Sequence, residues 1–194
     1  MSLFPSPASL PTPALPTIIV LAAGRGERFI ASGGSTHKLA ALLAGKPVLQ
    51  HVLDAVRASG LPHHVVQADA SRPGMGDSIA DGVLATPDAA GWLVLPGDLP
   101  LVRGESLRAV ADALGQHAVV TVSYQGLRGQ PVGFSAACRD QLLALKGNQG
   151  AAIVVRAQSA INSVAVLALE DVGVVTDIDT LDDLARAEEL LAAR

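Results

Sequence analysis

Residues 17–28 read Thr-Ile-Ile-Val-Leu-Ala-Ala-Gly-Arg-Gly-Glu-Arg, and this run constrains the fold more than any other stretch of the chain. A β-branched and aliphatic segment with no polar alternation is a buried strand, covered on both faces. It stops abruptly at small residues, Gly24-x-Gly26 and two arginines. Backbone N–H groups in a glycine-containing turn point at phosphate oxygens without a side chain in the way. Arg25, Arg28 and, ten residues beyond, Lys38 add charge that suits a triphosphate. The full Gly-x-Gly-x-x-Gly of a dinucleotide fold is absent, position 29 being Phe, and no Walker-type Gly-Lys-Ser/Thr occurs.

The rest of the chain alternates strands with helices. Gly45-Lys46-Pro47 opens a helix with Val48, Leu49, Val52, Leu53 and Val56 on one side and Gly60 as its stop. His63–Ala68 is a strand, and Gly74-Met75-Gly76-Asp77-Ser78 opens a second helix that runs through Leu84. Gly91–Pro96 is apolar throughout and predicts a central strand ending at Gly97-Asp98. Leu107, Val110, Ala111 and Leu114 recur at helical spacing. Strands are expected over 118–123 and 131–135, joined by 125–130, then helices over 136–146 and 149–158. Two more strands, 163–169 and 173–178, precede a final helix marked by the capping spacing Thr180-x-x-Asp183. This βαβ alternation predicts an α/β fold with a mostly parallel sheet.

Composition sets the size and the partners. The 194 residues suit one α/β domain, 17–194, after a Pro-rich tail over 1–16. Charged residues make up 16% against a usual share of about 25%, so much of the chain is expected in buried strands and helix faces. A formal charge of -4 without a basic cluster argues against nucleic acid or an anionic membrane as partner. No run approaches about 18 uninterrupted apolar residues, so no membrane span is expected. The single Cys138 suits a reducing, cytoplasmic setting and reads as a small packed residue. Trp92 reads as core, and His63-His64 lacks partners at zinc-ligand spacing.

Two acidic constellations bear on the chemistry. Asp98 follows a buried strand, and the carboxyl ends of strands form the ligand crevice of open α/β sheets. A carboxylate there can hold Mg2+ between triphosphate oxygens. In the expected strand 173–178, Asp177 and Asp179 share one face while Ile178 turns to the core, and either carboxylate is a candidate second metal ligand.

Leu21-Ala22-Ala23-Gly24-Arg25-Gly26-Glu27-Arg28 with Lys38 resembles the signature of the nucleotidyltransferase superfamily, in particular its molybdenum-cofactor branch of MobA-like and MocA-like enzymes. That pattern is roughly Leu-Ala-Ala-Gly-x-Ser-x-Arg-Met-Gly-x-x-Lys. Here Gly26 stands for Ser, Phe29-Ile30 replaces Met-Gly, and 31–37 makes the approach to Lys38 about five residues longer, which keeps Lys38 at the phosphates if it bulges outward. Pro96-Gly97-Asp98-Leu99-Pro100 is similar to the branch's metal-binding Gly-Asp-Met-Pro, and Asp177-Ile178-Asp179-Thr180 to its Asp-Ile-Asp-Thr-Pro. Gly74-Met75-Gly76-Asp77-Ser78 resembles a Gly-Met-Ser-x-Ser loop near base and ribose, so that Gly74, Met75 and Ser78 join the nucleotide-binding set. Gly129-Gln130-Pro131-Val132 and Gly147-Asn148-Gln149-Gly150-Ala151 resemble stretches where the acceptor is expected, with Gln for His and Asn for Asp.

The resemblance implies a three-layer α/β/α sandwich with a Rossmann-like sheet of the nucleotide-diphospho-sugar transferase type. It implies nucleotidyl transfer with release of pyrophosphate. Arg25, Arg28 and Lys38 would face the phosphates and Asp98 with Asp177 or Asp179 would hold Mg2+. The Leu-Ala-Ala-Gly form is that of the cytidylyl branch, which makes CTP the expected donor and molybdopterin the expected acceptor, with a client molybdoenzyme as a further partner. A guanylyltransferase or another small-phosphate nucleotidyltransferase is the alternative on the same scaffold. A non-catalytic protein that delivers a nucleotide or cofactor is the alternative from another class.

Overall fold

A computed structural model describes residues 14–67, 69, 71 and 74–194; the greater part of the expected tail, residues 1–13, lies outside them. The described order is β1 (Thr17–Ala22), α1 (Glu27–Ala31), β2 (Leu42–Leu43), β3 (Lys46–Pro47), α2 (Val48–Ser59), β4 (His63–Gln67), α3 (Met75–Ala85), β5 (Gly91–Pro96), α4 (Gly104–Ala113), β6 (Val119–Tyr124), β7 (Leu127–Ser135), α5 (Arg139–Leu143), α6 (Ala152–Ser159), β8 (Val164–Ala168) and α7 (Leu181–Ala192).

Six strands form one sheet in the order β4-β1-β5-β7-β6-β8, and β2 pairs with β3 apart from it. β1 runs parallel to β4 and β5, and β6 parallel to β8; only β7 is antiparallel to both its neighbours. Successive strand residues face opposite ways. Ile18, Val20, Leu93 and Leu95 therefore pack on one side with Val52 and Val56 of α2 and Leu107 and Val110 of α4. Ile19, Trp92, Val94 and Phe134 pack on the other side with Ile79 and Val83 of α3, Leu142 of α5 and Val154 of α6. That is the expected α/β/α sandwich. Cys138 and Trp92 are fully buried, as their sequence settings require.

The topology positions the crevice. From β1 the chain crosses through α2 to β4 on one side, then returns through α3 to β5 on the other. The strand order reverses at β1 and β5, and ligands of open α/β sheets bind at the carboxyl ends of strands flanking such a reversal. Here those ends lead into Ala23–Gly26 and Gly97–Asp98.

Three expectations about elements need correction. The expected strand 173–178 is a 3-10 turn, Val172–Val175, followed by extended chain without ladder partners. Val174 is fully buried beside β6, so an apolar run that reads as a strand packs as a turn. The expected helix 136–146 is a 3-10 turn (Ala136–Cys138) and the single-turn α5, and α6 starts at Ala152 instead of Gln149. The expected connection 125–130 is mostly strand: Gln125 and Gly126, at φ 48 and 80, make a two-residue turn and β7 resumes at Leu127. Among the described residues, no helix is long and apolar enough to cross a membrane.

Candidate active site

The loop after β1 follows from its residue types. Gly26 adopts φ 66, a left-handed conformation that favours glycine, and ends the loop by starting α1. Phe29 of α1 is buried with Leu39, Leu43, Leu101 and Ile178, which fixes the helix against the body of the domain. Across the crevice, Asp98 leaves β5 where the sheet ends, and its carbonyl accepts the Ile178 N–H at 2.9 Å. Ile178 is fully buried, so the carboxylates on either side of it, Asp177 and Asp179, are turned toward the cavity. The expectation that the pair shares a face holds, but the cause is the anchoring of Ile178 and its bond to Asp98, since no strand is present there.

These segments enclose a cavity of about 730 Å³. Leu21, Ala23, Gly24, Arg25, Gly26, Arg28, Lys38, Met75, Ser78, Asp98, Asp177 and Asp179 line it, which accounts for most of the site expected from sequence. Ala22 and Gly74 do not. Ala22 packs against the cluster around Phe29, because the residue after inward-facing Leu21 points the other way. Gly74 meets the backbone of Gly147, where a Cβ would lie 2.1 Å from the Gly147 carbonyl carbon. This approach, with Gly76 N–H donating to the Gly147 carbonyl and Gly147 N–H to Asp77, brings Asn148 to the cavity wall. Ser78 donates its hydroxyl to the Gly74 carbonyl, so that proton is engaged within α3.

Charge is concentrated at the cavity floor. Lys38 Nζ lies 2.6 Å from Asp98 Oδ2 and 2.7 Å from Asp179 Oδ1, and Arg28 Nη1 lies 2.7 Å from Asp179 Oδ2. Burial by itself would lower the Lys38 pKa, but attraction and hydrogen bonding from Asp98 and Asp179 outweigh it and raise the value, so Lys38 stays an ammonium. Asp177 is pushed up from the usual carboxylate range, first by desolvation and then by repulsion from Asp98, Asp179 and Asp183. Arg25 sits at the rim, paired at 3.4 Å with Glu27. Lys38 does reach the cavity despite the longer approach over 31–37, but its ammonium is engaged by two carboxylates.

Arg128 also lines the cavity and was not foreseen, because 125–130 read as a connection. It stands on β7 opposite Ser123, two residues before Gln130, and among the described residues it forms no ion pair. The available signal was a lone arginine in step with a candidate acceptor residue.

Residues 18–162 match the family model for the MobA-like NTP transferase domain. Rv0371c from Mycobacterium tuberculosis superposes with a TM-score of 0.74 at 26% identity, covering 92% of this chain and 99% of that one. A structure of Rv0371c in complex with manganese gives a TM-score of 0.70 at 25% identity, over 91% and 99% of the two chains. A nucleotidyl transferase from Methanothermobacter thermautotroptrophicus shares the fold, with a TM-score of 0.77 at 21% identity over 93% of this chain and 99% of that one. Among curated relatives, the bifunctional protein GlmU of Xanthomonas oryzae is 33% identical over 144 residues, 63% of this chain and 30% of GlmU; the chain thus matches under a third of that relative's length. With the family model spanning three quarters of the sequence and a glycine loop facing acidic strand ends across one crevice, the chain belongs to the MobA-like NTP transferase domain family of nucleotidyltransferases.

Proposed function

We propose that this chain transfers the CMP moiety of CTP to a phosphorylated acceptor, molybdopterin by resemblance, and releases pyrophosphate. The observation that carries the reading is the opposition, within one cavity, of the Gly24–Arg28 loop and Lys38 to Asp98, Asp177 and Asp179. An oxygen of the acceptor phosphate forms the new bond to the α-phosphorus. The bond from that phosphorus to the bridging oxygen breaks, and pyrophosphate leaves with the electron pair. The acceptor is already anionic at neutral pH, so alignment and charge neutralisation do most of what is required. The loop backbone with Arg25 and Arg28 would hold the β- and γ-phosphates, and Lys38 would stabilise charge on the leaving group. The choice of CTP rests on the Leu21-Ala22-Ala23-Gly24 form of the loop.

The donor set suits Mg2+. Among the described residues no group of three or more His, Cys, Asp and Glu side chains is spaced to hold a metal. Mg2+ does not require one, since it is usually bound through one or two carboxylates together with substrate phosphates and water. Asp98 and Asp179 already converge on one positive charge, the Lys38 ammonium, and Asp177 adds hard oxygen donors beside them. Mg2+ held there would neutralise triphosphate charge and orient the donor. The manganese complex of Rv0371c supports a divalent ion in this fold.

A panel of the four NTPs with Mg2+ and molybdopterin, read as pyrophosphate release, tests the proposal. CTP should give the fastest release, and Asp98→Asn should lose at least about a hundredfold in turnover while keeping the wild-type melting profile. Preference for GTP would correct the base. Tight nucleotide binding with no release from any NTP would favour the delivery-protein alternative.

A further inference from the structure

The seven residues 31–37, the last of α1 and the six that lead to Lys38, are where this chain departs most from the family signature, and they are tied down at several points. Ser32 Oγ donates to the Phe29 carbonyl at 2.8 Å and accepts the Leu181 N–H at 3.0 Å. Gly34 N–H donates to the same Phe29 carbonyl at 3.0 Å. The segment ends in His37, whose carbonyl accepts Ala40 N–H at 2.8 Å and so opens the 3-10 turn (Lys38–Ala40) that carries Lys38.

Both ring nitrogens of His37 are engaged. Leu39 N–H points at Nδ1, 3.3 Å away, so Nδ1 is the acceptor and the ring proton resides on Nε2. Nε2 then donates to the Gly24 carbonyl at 2.7 Å. The ring also lies close to Gly26, where a Cβ would come within 3.3 Å of His37 Cδ2 and 3.5 Å of Lys38 Cγ. One imidazole thus joins the phosphate loop to the turn that presents Lys38, from outside the cavity wall. In a trans peptide the carbonyl and the N–H point opposite ways, so the bond that fixes the Gly24 carbonyl also fixes the direction of the Arg25 N–H, and both residues line the cavity.

We infer that His37 is a positioning residue: as the Nε2–H tautomer it clamps the Gly24 peptide and the Lys38 turn together, pre-forming the loop for the triphosphate. The inference rests on the reading of Gly24–Arg28 as a triphosphate loop. A preformed loop binds without first paying the entropy of ordering, so loss of the clamp weakens ground-state binding more than it slows the chemical step.

The experiment uses the full chain, with Mg2+ and each NTP, by isothermal titration calorimetry and steady-state kinetics. His37→Ala should raise both Kd and KM for the preferred NTP by about tenfold, leave kcat within about twofold, and lower Tm by no more than about 2–4 °C, the cost of one exposed cap. His37→Gln, which can still donate to the Gly24 carbonyl, should recover part of the affinity. In the free wild-type protein, long-range 1H–15N spectra at about pH 8 should show the Nε2-protonated neutral tautomer. A wild type that binds an NTP while His37→Ala binds it equally well overturns the clamp, as does an Nδ1-protonated ring. A wild type that binds no NTP overturns the nucleotide reading itself, and the tautomer spectrum then still decides whether the bond to Gly24 exists.

Discussion

At the scale of single residues, the site is a problem of like charge. Three carboxylates, Asp98, Asp177 and Asp179, share one cavity, and among the described residues only two of them, Asp98 and Asp179, pair with a cation. Asp177 is the one left to desolvation and repulsion, which raise its pKa. A carboxyl whose folded pKa lies above its unfolded value opposes folding once ionised. That opposition is absent below the unfolded pKa, grows as pH rises between the two values and is complete above the folded one. Asp177→Asn should therefore raise Tm at neutral pH, with the gain fading as pH falls to about 4. A series of melts against pH checks this, and a gain independent of pH would assign the effect to some other change. Stability withheld in the free protein is what a site kept for a cation is expected to show.

At the scale of elements, the decisive piece is the start of α7. Thr180 accepts the Asp183 N–H, and Asp183 Oδ2 accepts Thr180 N–H at 2.8 Å, a complete capping box. The same Asp183 oxygen also accepts the N–H of Asp179 at 3.1 Å. The cap thus orients a residue of the cavity as well as ending a helix. Asp183→Ala should cost about 1 kcal/mol, or about 2–4 °C in Tm for a domain of this size. It should also lower pyrophosphate release more than Thr180→Ala does, since of the two side chains it is Asp183 that accepts the Asp179 N–H. Melting curves and initial rates on the two variants separate the roles; equal activity in both would leave the cap purely structural. The Thr180-x-x-Asp183 spacing made the box legible in advance, because capping is local. The bond to Asp179 depends on how the extended chain enters the helix, and no spacing encodes that. The hydrophobic run over 173–178 misled for a related reason: burial on two sides selects apolar residues whether the backbone pairs in a sheet or turns beneath it.

At the scale of the whole molecule, the cavity draws on nearly the full length of the chain, from Leu21 to Asp179. A ligand held there touches elements from both ends of the sequence and should stabilise the domain as one unit. Mg2+ and CTP at about a hundred times Kd should add about 2.7 kcal/mol, which for this size is about 5–10 °C in Tm within a single transition. Differential scanning calorimetry measures the shift. Absence of any shift under saturating nucleotide would remove the triphosphate from this cavity.

The sequence by itself determined the buried strand, the glycine loop at its end, the position of Asp98 after a second central strand and the α/β order of the rest. These follow from interactions between near neighbours: apolar periodicity, turn residues and caps. Tertiary structure alone decided what the charged groups do. Lys38 finds Asp98 across 60 residues and Asp179 across 141, and Arg128 reaches the cavity only because β7 runs antiparallel beside β5. Such pairings are set by strand order, register and the packing of Ile178, where the energy of many apolar contacts fixes the backbone and the ionic groups take the partners that geometry leaves within reach. The loop over Gly24–Arg28 was legible as a glycine turn at the end of a buried strand. That its shape is held from behind by His37 became visible only once the chain was folded.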